Sequence, residues 1–173
     1  MIPKFRGLFR KSEKKSIFCI DTCFIEGTIL KHIERDTWNI KIKDDFNERL
    51  RRLNRQDIIL LINEINEFEI KSKLMRQFSL SLNKANFIYD NAMILLKNIS
   101  KAEIKDIKLT PRLINWMLVY GLDFKDGLLI SIAERLELPF VTSERNAEKW
   151  KNAYSGVLKE RDFWDLLEKD RGS

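Results

Sequence analysis

Short, nearly continuous apolar runs alternate along the chain with longer stretches of helical spacing. Residues 16–20 (SIFCI) and 58–62 (IILLI) read as strands buried on both faces, and 139–142 (PFVT) and 156–158 (GVL) as shorter ones. From Thr22 to Arg35 the apolar positions Phe24, Ile25, Ile29, Leu30 and Ile33 recur at helical spacing, loosened at Gly27. Asp44 or Asp45 can cap a helix with Phe46, Leu50 and Leu53 on its apolar face. Asn66 then opens a long amphipathic helix with Ile70, Leu74, Phe78 and Leu82 along one side, and a further helix follows near 85–97. Thr110-Pro111 supplies an N-cap and a proline at the first helical position, and that helix carries Leu113, Trp116 and Met117 and stops at Gly121. Asp123 opens another, with Leu128, Leu129, Ile132, Ala133 and Leu136 as its core side; shorter helices are expected over about 144–152 and from about 162. Trp38, Ile40 and Ile42 alternate too briefly to assign.

Strands separated by helices imply an α/β domain of three layers, with a central, mostly parallel sheet of four to five strands and helices on both faces. In such a sheet ligands bind at the carboxyl ends of the strands, so the residues that follow each strand are the ones to inspect.

Composition changes this picture little. The 173 residues suit one domain, and at 44% hydrophobic the chain can bury a core of its own. No apolar run approaches a membrane span. Cys19 and Cys23, with His32 the one histidine, do not make a zinc site of the usual kind or a disulfide framework, which favours a cytoplasmic setting. Cys19 reads as a buried small hydrophobe and His32 as a surface residue.

The net charge of +6 suggests nucleic acid until it is mapped. Residues 1–15 carry +5 of it, leaving about +1 for residues 16–173, so a basic arm is joined to a nearly neutral domain. The arm has two readings, a solvated extension or a grip on RNA, and it lacks the apolar core of a secretory signal.

Four carboxylates fall at expected strand ends: Asp21 after the first strand, Glu69 and Asp126 each one turn into a helix, and Glu144 just after the third strand. Helix capping accounts for three of these without any catalysis. Asn66-x-x-Glu69 is a capping-box pattern, Asp123-x-x-Asp126 resembles one, and Glu144 beside Ser143 suits a first helical turn. Asp21 is different, because a strand-end carboxylate facing a sheet edge is costly unless paired or bound to a metal, and no Lys or Arg lies near it in sequence. Oxygen ligands without His or Cys favour Mg²⁺ or Mn²⁺.

With these residues in view, Ile20-Asp21-Thr22-Cys23-Phe24-Ile25, the segment 62–70 (INEINEFEI) and Asp126 to Glu144 resemble the PIN domain, the fold of VapC-type toxin ribonucleases and of several RNA-processing nucleases. The resemblance covers about residues 16–155. It departs from the family pattern at Cys23, where Asn is usual, at Asn63 and Asn66, where Ser and Thr are common, and at Glu144, where Asp is usual.

The resemblance implies a metal-dependent endoribonuclease in which Asp21, Glu69, Asp126 and Glu144 hold Mg²⁺ or Mn²⁺ for water attack on a phosphodiester. Thr22 and Thr142 would hydrogen-bond those carboxylates or the water, or else serve as ordinary strand-end hydroxyls. Lys73 and Arg76, beyond Glu69 on its helix, and Arg145 and Lys149, beyond Glu144, would contact RNA phosphates or else form solvated faces. Trp116 and Trp150 would stack bases or, at helical spacing, sit in the core. An antitoxin protein and a second copy of the chain, docked through apolar faces of 66–97, are the partners implied. The alternative is a catalytically inactive PIN-fold module that binds RNA or another protein.

Overall fold

The computed structural model describes residues 15–34, 39–40, 44–55, 57–101 and 110–169. All of the arm 1–15 except Lys15, together with Trp38 and Ile42, lies outside the described residues.

The apolar runs form a five-stranded sheet, all of whose pairings are parallel, in the order β5-β4-β1-β6-β7. Its strands are β1 (Ser16–Ile20), β4 (Ile58–Ile62), β5 (Ile99–Lys101), β6 (Phe140–Thr142) and β7 (Val157–Lys159). A separate two-stranded antiparallel ladder joins β2 (Ile33–Glu34) to β3 (Asn39–Ile40).

Strand side chains alternate between faces, and the core divides accordingly. Phe18, Ile20, Leu60 and Val141 face one side, where they meet α1 (Thr22–Thr28), α2 (Asp44–Leu53), α3 (Glu64–Phe78), α4 (Leu82–Leu95) and α8 (Glu160–Lys169). Cys19, Phe140 and Val157 face the other, against α5 (Pro111–Tyr120), α6 (Phe124–Arg135) and α7 (Ala147–Trp150). The result is the three-layer α/β/α arrangement expected from the pattern.

On the second face α5 and α6 approach closely at Gly127, where a Cβ would overlap the side chain of Leu113. The Thr110 hydroxyl caps α5 by accepting from the Leu113 amide (3.1 Å), and Gly121 closes it at φ 67°, a left-handed conformation that glycine adopts without a Cβ penalty.

Several expectations are corrected. The helix expected to open at Asn66 is capped by Asn63, whose side chain accepts from the amides of Ile65 and Asn66. It does not run on through Leu82: Ser79 takes φ 53°, the chain turns, and Ser81 caps α4. Helix α1 stops at Thr28 rather than continuing to Arg35, giving way to a 3-10 turn (Leu30–His32). For Trp116 and Trp150 the core reading holds, since both are buried and neither can stack a base. His32 is half-buried and stacks on Phe46 at 4.4 Å, so it is not a surface residue.

Apolar side chains do remain exposed on α3 and α4, including Phe68, Phe87 and Ile94. Among the described residues no helix is long and apolar enough to cross a membrane.

Candidate active site at the carboxyl ends of the strands

From β1 the connections lead outward to β4 and β5, then return across β1 to β6 and β7. The strand order therefore reverses between β1 and β6, and in parallel sheets such a reversal is where ligands bind, outside the carboxyl ends of the strands. Asp21 follows β1 directly and Thr142 ends β6.

Asp21 is 3% exposed. Its Oδ2 accepts from the Thr142 hydroxyl (2.6 Å) and from the Cys23 thiol (2.8 Å). Cys23 Sγ in turn accepts from the Ser143 amide (3.2 Å), and Thr142 Oγ1 accepts from the Glu144 amide (3.0 Å), so the ends of β1 and β6 are tied together. Burial pushes the Asp21 carboxyl above its ordinary range and the charge of Glu69 adds to the rise, while bonds from Cys23, Thr142 and the Thr22 amide oppose it. The Cys23 thiol is likewise pushed up, by burial and then by the Asp21 charge. It remains a protonated donor to the carboxylate.

The capping box of α3 reaches the same place. Asn66 at its third position is fully buried, and its side chain accepts from the Asn63 amide (3.0 Å) while donating to the Ile20 carbonyl and to Thr22 Oγ1 (3.1 Å each). The Thr22 hydroxyl bonds Glu69. One amide thus sets the start of α3, the end of β1 and a hydroxyl beside Glu69. Asn66→Ala removes all three links, and the expected loss is about 1–2 kcal/mol, read as a fall in melting temperature. An unchanged melting temperature would contradict this role.

Glu69 also receives two ammonium groups, Lys125 at 2.5 Å and Lys73 at 3.5 Å, and Lys73 pairs with Glu26 at 2.8 Å as well. Burial alone would raise the Glu69 carboxyl, but the bonds from Lys125 and Thr22 and the charge of Lys73 outweigh it and hold the group below the ordinary range. The sequence offers Glu69 as three residues beyond a cap at Asn66. With the cap at Asn63, that spacing argument falls, and the place of Glu69 rests on Thr22 and Lys125 instead.

Asp126 lies in the first turn of α6, where its amide donates to the capping carboxylate of Asp123 (2.8 Å). Its own carboxyl is pushed up to about 8, by burial first and then by the charges of Asp21, Asp123, Glu144 and Glu69. Asp126 therefore feels the charge of four other acids, and Asp21 that of Glu69. Among the described residues neither Asp21 nor Asp126 forms an ion pair, in contrast to Glu69. Glu144 is exposed and lies in the turn before α7, which begins at Ala147, so it is not the first-turn helical acid expected from the sequence. Ser143 caps no helix; its hydroxyl donates to Glu160 (2.6 Å).

Of the basic residues expected at the site, Lys73 joins the Glu69 cluster, and the exposed Arg76 donates from Nε to the Ser72 carbonyl. Arg145 and Lys149 are exposed near Glu144 in sequence. Lys125 is absent from the sequence expectations, because its partner lies 56 residues away and only the fold brings them together. The one local hint is its position beside Asp126.

Among the described residues no group of three or more His, Cys, Asp or Glu stands arranged to hold a metal ion. The donor chemistry nevertheless suits a hard divalent cation: carboxylate oxygens, with mutual repulsion at Asp21 and Asp126 that a positive charge would relieve. Asp21, Asp126 and Glu144 could accept such an ion, and Glu69 could do so on exchanging Lys125 for it.

No protein-family model matches the chain, and no curated protein matches it. One similar solved structure is the crystal structure of VapBC2 from Rickettsia felis bound to a DNA fragment from their promoter. The likeness, at 16% identity and a TM-score of 0.49, covers 83% of this chain and 97% of that one.

Proposed function

We propose that the protein is a metal-dependent endoribonuclease. What supports the reading is Asp21, buried directly after β1 beside the reversal of strand order, together with Asp126, whose carboxyl is pushed up to about 8 by burial and then by the charges of Asp21, Asp123, Glu144 and Glu69. The PIN-like order of Asp21-Thr22, Glu69, Asp126 and Thr142-x-Glu144 along the chain supports the same chemistry.

Mg²⁺ or Mn²⁺ held there supplies Lewis-acid activation of water and neutralises charge on the scissile phosphate. Asp21 and Asp126 would hold the ion, with Thr142 and Cys23 orienting Asp21 and Thr22 orienting Glu69. Glu144, longer by a methylene than the usual Asp, would complete the set of acids around it. Arg76, Arg145 and Lys149 attract and seat the RNA phosphates, joined by Lys73 and Lys125 where a bound ion releases them from Glu69. The activity belongs to the toxin of a toxin–antitoxin pair, where an antitoxin protein is the partner, or to an RNA-processing enzyme.

A second reading, an inactive module that binds RNA or protein, is favoured by one feature: Glu69 is already neutralised by Lys125 and Lys73. Incubating the chain with single-stranded RNA in Mg²⁺, Mn²⁺ or EDTA separates the two. The nuclease reading predicts internal cleavage that needs the metal. Intact RNA under all three conditions would leave the inactive module.

A further inference from the structure

A cleft of about 210 Å³ lies between α1 with its following 3-10 turn and α3. Its floor is apolar, formed by Leu30, Ile70 and Leu74 with Phe78. Its rim is polar, with Lys31 on the α1 side and Lys73 and Gln77 on α3. Lys73 belongs to both places, because the ammonium that pairs with Glu26 on the cleft wall also pairs with Glu69 at the site. A strand passing the carboxylates would therefore meet the cleft next.

We propose that this cleft is a nucleobase subsite, taking one unpaired base of a single-stranded RNA beside the phosphate at the carboxylates. That neighbour rests on the nuclease reading; the chemistry of the cleft does not. The volume is below the roughly 300–1,000 Å³ of pockets for drug-sized ligands, and suits a single flat ring system. The apolar floor takes the faces of the base, and the Gln77 amide and Glu26 carboxylate offer donors and acceptors to its edge. The exposed Lys31 on the rim matches a phosphate flanking that base, while Lys73, held by Glu26 and Glu69, ties the cleft to the carboxylates. A duplex keeps its bases stacked and paired, so an unpaired strand is the form that can supply one.

The test is binding of a fluorescent single-stranded RNA octamer, and of its duplex, to the full chain in EDTA, where no turnover intervenes. The wild type is expected to bind the single strand at least about tenfold more tightly than the duplex. Leu30→Trp fills the cleft and should abolish that preference. Lys31→Glu should weaken binding and lower the slope of log affinity against log salt by about one or more. Gln77→Ala, at an exposed position, should change which bases are preferred. If Leu30→Trp fails to fold, the two exposed variants carry the test.

Wild-type affinity and strand preference in every folded variant would overturn the subsite and leave the cleft to a protein partner, as would a wild type that binds no single strand. Subsite effects in a protein that cleaves nothing with Mg²⁺ or Mn²⁺ would sink the nuclease reading and leave the subsite standing.

Discussion

Asp21→Asn is expected to lower metal-dependent RNA cleavage by about a thousandfold or more while leaving the fold intact. The carboxylate is 3% exposed and held by Thr142 and Cys23. An asparagine of the same shape can present its carbonyl oxygen to the same two donors, so the tie between β1 and β6 survives. What disappears is a negative charge that burial already disfavours and that a divalent ion would need. The melting temperature of the metal-free variant should therefore hold or rise, even as cleavage is lost. Cleavage of single-stranded RNA in Mn²⁺, with thermal melting in parallel, reads both. Equal cleavage by the variant would remove Asp21 from the mechanism.

Asp126→Asn should stabilise the metal-free protein at alkaline pH and flatten the pH dependence of its stability. The Asp126 carboxyl rises from the ordinary 3.8 to about 8, driven by burial and then by Asp21, Asp123, Glu144 and Glu69. A folded-state value above the unfolded one means that folding favours the protonated form. That contribution is fully present below pH 3.8 and is lost as the pH rises through about 8. The rise corresponds to at most about 6 kcal/mol. Solvent at this half-buried group reduces it to on the order of 2–3 kcal/mol. Because the acids titrate together, the clean quantity is the difference between wild type and variant. Melting in EDTA at pH 6 and pH 9 should show the wild type falling behind the variant at the higher pH. Parallel curves would mean that Asp126 feels no crowded charge.

The strands β1, β4, β6 and β7 are legible because a parallel sheet buried on both faces requires nearly unbroken apolar runs, as in IILLI. Helices α5 and α6 are legible from their caps, Thr110-Pro111 and Asp123. Strand β5 is not: at the sheet edge it needs only the half-buried Ile99, and Ser100 and Lys101 are exposed. Nor is the break after Phe78, since the spacing of Ile70, Leu74, Phe78 and Leu82 runs straight across it and only the short Ser79-Leu80-Ser81 marks the turn.

Asp21 is legible as the acid directly after β1, and Asp126 as a first-turn acid of α6. The cap of α3 is harder to read, because Asn63 and Asn66 are both good caps and the choice depends on where β4 ends. The basic neighbours of Glu69 are harder still. Lys73 reads from the sequence as a phosphate contact, but its bonds to Glu26 and Glu69, like that of Lys125 to Glu69, depend on how α1, α3 and α6 meet.

Whether these acids form one site for a divalent ion is read by titrating the full chain with Mn²⁺ by calorimetry, without RNA. The wild type should bind saturably, both Asp21→Asn and Asp126→Asn should lose that binding, and Mn²⁺ should raise the melting temperature of the wild type alone. Equal Mn²⁺ affinity in the wild type and both variants, or no binding in any of them, would contradict a single site.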